Sequence, residues 1–228
     1  MVSLATSSRG VAGGHRRVWD HVQQLEGGLP VLVGPPAPEQ AEAMGGAWGT
    51  IADLLSNLTD PDETHGAGVS RVVDVIADCG RLLSRSSAAA AVLQRADLVV
   101  LVTRPTVSGV AHARHGLGVA ARVMNETPRS GSGLDRVTVL VVDDPSSPGS
   151  RKAHQRQVSD VLKETPGLQD VPVVGVLAHD PRTAAALTGM SPSGRGLDRS
   201  PLLKTARDVA ATLVGQAQAI NGVPQVQS

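Results

Sequence analysis

Two of the three common aromatic residues are missing from this chain: it contains no Phe and no Tyr, and its only large rings are Trp19 and Trp48. Any core must therefore be packed by Val, Leu and Ala. That suits a buried parallel sheet under helices, where small and β-branched side chains let backbones approach closely. Cysteine is nearly absent too. The single Cys79 rules out an intrachain disulfide framework and fits a reducing compartment. Lysine is scarce, with only Lys152, Lys163 and Lys204, and the formal net charge is zero. No broad electrostatic field draws the chain to nucleic acid or anionic lipid. No run of about 18 apolar residues is present, so no membrane span is expected, and the N-terminus lacks the apolar core of a signal peptide. These absences point to a soluble, cytoplasmic protein.

What is present suffices for a real core: 228 residues, 41% of them apolar. Short apolar runs alternate with helical patterns. Strands are expected at Leu29–Val33, around Val75–Ala77, and at Leu98–Val102, Val137–Val142 and Val171–Leu177. Helices are expected at Pro38–Leu58, Ser84–Arg95, Val110–Met124, Ser150–Glu164, Arg182–Leu187 and Leu202–Gln216. Gly45-Gly46 and Gly49 weaken the first of these. Strands that are continuously apolar and alternate with helices indicate an α/β fold with a mostly parallel sheet and helices on both faces. The organisation expected is an irregular or partly helical segment over 1–28, an α/β domain over 29–216 and a flexible tail over 217–228. In such sheets ligands sit beyond the carboxyl ends of the strands. The residues to inspect are therefore Asp78–Gly80, Thr103–Pro105, Asp143–Pro145 and His179–Arg182.

The sharpest local signal is Val75-Ile76-Ala77-Asp78-Cys79-Gly80. An apolar strand ending in Asp, with Gly two positions later, has the form of a Walker B segment. There the carboxylate holds Mg²⁺ through water and the Gly admits a terminal phosphate. The same residues equally suit a turn at a strand end. Likewise, Asp143-Asp144-Pro145 suits a solvated turn, and Asp180-Pro181 suits a helix N-cap with Pro at the first helical position.

Taken in order, VIADCGRL, ADLVVLVTRPTVSGVAHAR, VTVLVVDDP, VPVVGVLAHDPRTAAALTG and SPLLKTARDVAATL resemble the MinD/ParA family of deviant P-loop ATPases, over roughly Gly28 to Gly215. The most specific part is Val171–Gly189. The resemblance implies a P-loop NTPase-like fold binding ATP and Mg²⁺, with Asp78 in the Mg²⁺–water shell and Gly80 near the phosphate. It places Asp180 and Pro181 against the base and Asp143 near it, although an acid stands at 143 where the family often has Asn. It also implies a nucleotide-dependent switch in positioning, partitioning or assembly, with a protein partner or a second copy engaged.

One required part is missing. A phosphate cradle needs Gly-rich backbone amides at a helix N-terminus and a Lys reaching the β/γ-phosphates. None of the three Lys follows a Gly-rich turn, and neither GxxxxGK[ST] nor KGGxGK[ST] occurs. The chain reads as though the first strand, P-loop, first helix and second strand preceded Met1. Either an upstream coding stretch carries a Gly-Lys-Thr/Ser loop, or the chain is a pseudo-ATPase that works by contact. On the family plan the loop-bearing strand would lie between Val72–Ala77 and Leu98–Val102, so its absence implies exposed strand edges and an oligomeric or poorly soluble chain.

Other constellations are less informative. His112 and His115 are spaced to share a metal but have no Cys or carboxylate beside them. Gly116–Ala121 fits GxGxxA but falls mid-helix. Cys79 has no nearby His and reads as a small buried thiol. The C-terminal helix has a narrow apolar face and is not basic, which argues against lipid attachment. The absence of a basic patch argues against nonspecific DNA binding.

Overall fold

The computed structural model describes residues 18–25, 28–59, 73–82, 89–126, 133–147, 149–188 and 197–220. The chain divides into two compact units, Met1–Ala96 and Asp97–Ser228.

The first unit has no parallel sheet among its described residues. Strands β1 (Gln23–Gln24) and β2 (Pro30–Val31) form a short antiparallel pair. The apolar run at Leu29–Val33 thus gives two paired residues, because Pro30 has no N–H and Gly34-Pro35-Pro36 closes the run. The single helix expected over Pro38–Leu58 is broken into α1 (Pro38–Ala43) and α2 (Ala47–Ser56). The break falls at Met44-Gly45-Gly46, where Gly45 takes φ +44 and costs the helix its propensity. Val18 and Leu58 form a small core with Trp19, Leu32, Leu54 and Leu55, and the Trp19 indole donates to the Thr59 carbonyl at 3.0 Å. Helix α3 (Ala89–Arg95) is held to α2 by Arg95, whose Nε lies 2.7 Å from Asp53 Oδ1.

The strand expected around Val75–Ala77 is not formed. Residues 73–82 belong to no regular element, and Ile76 is 98% exposed. The Val73 N–H donates to the Leu58 carbonyl at 3.0 Å. β-branched composition alone cannot hold a strand that has no neighbour to complete its ladder. Of the polar loop expected over Thr59–Gly68 only Thr59 is described; residues 191–196, in the stretch Ser191–Ser200 expected to be mobile, and those after Ile220 lie outside the described residues.

The second unit is mixed α/β and follows the expected order closely. Strands β3 (Val99–Thr103), β4 (Val137–Val142) and β5 (Val173–Leu177) form a parallel sheet in that order. Helix α4 (Val107–Asn125) connects β3 to β4, and α5 (Arg151–Lys163) connects β4 to β5. Helices α6 (Pro181–Leu187) and α7 (Pro201–Ile220) follow. The β3–β4 register is unbroken from Val99 opposite Val137 to Thr103 opposite Val141. Between β4 and β5 it slips by one residue: Val139 faces Val173, but Leu140 faces Gly175.

Strand pleating decides which side chains are buried together. Val137, Val139 and Val141 point to one face and pack with Leu117 and Met124 of α4 and with Val158 and Leu162 of α5. The opposite face, at β5, meets α7, where a Cβ built on Gly175 would lie 2.9 Å from Val209 Cγ2. The hydrophobic cluster of this core is built from Val and Leu apart from Met124. Gly116, mid-helix in α4, lies against Leu101 of β3, which is a packing role for the GxGxxA match. His112 and His115 sit on the exposed side of α4.

Candidate functional site

The loops following β3, β4 and β5 bring together most of the residues picked out from the sequence. β4 runs directly into Asp143, whose N–H donates to the Leu177 carbonyl at 2.9 Å and so continues the ladder past the strand end. The Asp143 carboxylate does not point into open solvent. Its Oδ1 lies 2.7 Å from Nδ1 of His154, a residue 1% exposed. An ionised carboxylate only accepts hydrogen bonds, so Nδ1 carries the proton in this pair. Nε2, on the far side of the ring, is buried without a partner among the described residues. His154 stands on the inward stripe of α5 with Val158 and Leu162, which explains its burial. The i, i+4, i+8 spacing was visible in the sequence, but a His within it was not singled out.

Asp144 turns the chain. Its Oδ1 accepts from the Ser146 hydroxyl at 2.6 Å and from the Ser146 N–H at 2.9 Å. These bonds, with smaller help from the charges of Arg104 and His179, hold its carboxyl below the usual range. Arg104 approaches Asp144 Oδ2 only at 3.8 Å and keeps its side chain 67% exposed. The Ser147 hydroxyl donates to the Pro105 carbonyl at 3.3 Å, tying the β3 and β4 loops together.

After β5, the Ala178 N–H donates to Thr205 Oγ1 of α7 at 3.0 Å. Asp180 then caps α6: it accepts from the Thr183 N–H at 3.1 Å and from the Thr183 hydroxyl at 2.8 Å, with Pro181 at the first helical position. The two Thr183 bonds are the main reason its carboxyl is held below the ordinary value.

The three helices that follow β3, β4 and β5 are each closed by a side chain at their start. Thr106 accepts from the Gly109 N–H in α4, Ser150 from the Ala153 N–H in α5, and Asp180 from the Thr183 N–H in α6. In each helix the captured amide is that of the third residue, one of the donors that a bound phosphate would otherwise use. At α6 the cap also places a fixed negative charge at the positive end of the helix dipole.

Asp78 and Gly80 belong to the first unit. Asp78 is exposed and accepts the Gly80 N–H at 2.9 Å, while Gly80 takes φ +61. This is a tight Asx turn whose left-handed residue calls for Gly. The half-buried Cys79 thiol between them is pushed up, chiefly by burial and secondly by the Asp78 charge, the direction opposite to that of an activated nucleophile.

The carboxylates expected to serve Mg²⁺-ATP accept from Gly80, His154 and Thr183, and the third-residue amides of α4, α5 and α6 are taken by their caps. Lys152 and Lys163 lie on α5 and Lys204 on α7, none of them in a glycine-rich turn. No cluster of three or more His, Cys, Asp or Glu suited to a metal occurs among the described residues, and no described helix is long and apolar enough to cross a membrane. A shallow depression of about 360 Å³ is lined by Arg114, His115, Thr165 and Leu168, away from the loop cluster. Compared with protein-family profiles, with curated proteins and with solved structures, the chain matches none.

Proposed function

We propose that this chain is a MinD/ParA-like α/β scaffold that acts by protein contact, a pseudo-ATPase rather than a nucleotide-hydrolysing switch. The observation that carries this reading is the capping at the carboxyl end of the sheet. Thr106, Ser150 and Asp180 each take the third-residue amide of the helix they begin. A triphosphate arriving there would have to compete with those caps for the third-residue amides and tolerate the Asp180 carboxylate. Both costs oppose binding.

The competing reading, an ATP-dependent switch, is favoured by the order of sequence segments from Asp78 to Pro201. Isothermal titration of the full chain with ATP and Mg²⁺ separates the two. Contact without catalysis predicts no binding tighter than about 1 mM, a free energy weaker than about −4 kcal/mol. Magnesium-dependent binding in the micromolar range, or turnover by the purified chain, would overturn the proposal.

A further inference from the structure

We draw no further inference here: the strongest candidate, the buried His154 side chain beneath the loop that follows β4, belongs to the site already described, where its Nε2 is enclosed without a partner among the described residues.

Discussion

Replacing His154 by Ala should be among the most damaging single changes in the second unit. The side chain is 1% exposed, so truncation leaves a cavity the size of an imidazole beneath the β4 loop. It also removes the donor 2.7 Å from Asp143 Oδ1. Loss of a hydrogen bond to a charged group costs about 1.5–3 kcal/mol, and a buried large-to-small change adds a cavity cost, so about 3–5 kcal/mol in total is expected. Against this, the orphaned Nε2 disappears with the ring and returns part of the loss. A net cost near 3 kcal/mol (roughly) follows. His154→Asn separates the two contributions. Its amide can donate from near the Nδ1 position, so it should recover about half of the loss if the Asp143 bond matters. A double-mutant cycle with Asp143→Ala should give a coupling of about 1–3 kcal/mol.

The assay must follow the right unit. Trp19 and Trp48 both lie in the first unit, so their fluorescence reports on that unit. Urea unfolding followed by far-ultraviolet circular dichroism is the suitable readout, with the midpoint falling at unchanged slope. A cost below about 1 kcal/mol, or an Asn variant no better than Ala, would refute the reasoning, because an ordinary surface change does no worse.

Two further outcomes follow from the same geometry. Gly109→Ala would place a Cβ 2.5 Å from the Arg104 carbonyl oxygen; with backbone on the other side of the clash, a loss of about 1–3 kcal/mol is expected, read as a lowered thermal midpoint. Asp180 has a folded-state carboxyl held below its unfolded value by Thr183. Its contribution is present above the ordinary carboxylate value near 3.9 (about) and is lost as pH falls from there through the lowered folded value. Asp180→Asn keeps a capping oxygen but cannot titrate, so urea midpoints from about pH 6 to pH 2 should fall less steeply than in the parent. Parallel acid limbs in the two proteins would count against that assignment.

The second unit was largely legible in the sequence. Val137–Val142 was bounded correctly to the residue, and α4 to α7 were each anticipated to within a few positions. Their patterns agree at every level: a wholly apolar strand, then Thr106, Ser150 or Asp180 as a cap, then a helical stripe. The first unit was less legible because its signals conflict. Val75-Ile76-Ala77 has the composition of a strand, but a strand exists only through its neighbours, and composition does not supply one. Gly45-Gly46 lies inside an otherwise helical run, and local backbone cost prevailed over periodicity.

The candidate site divides similarly. Asp143 and Asp180 fall at adjacent strand ends, as the α/β pattern required, and the capping role of Asp180-Pro181 was readable from the dipeptide. The engagement of Asp143 by His154 was not readable, since it depends on α5 returning over β4. A buried histidine also resembles an exposed one until the helix is placed.

The slip between β4 and β5 governs more than one pair of strands. With strict alternation Val173 and Gly175 would share a face; instead Val173 and Val176 both reach the aliphatic core, and Gly175 is turned toward α7. Val174 therefore acts as a phase shifter. It lets the helix rest on bare backbone on one side of the strand while the other side stays packed, and it advances the strand end so that the Leu177 carbonyl meets the Asp143 amide. The position of the loop bearing His179 and Asp180 is thus fixed by a residue that itself carries no chemistry, several positions upstream.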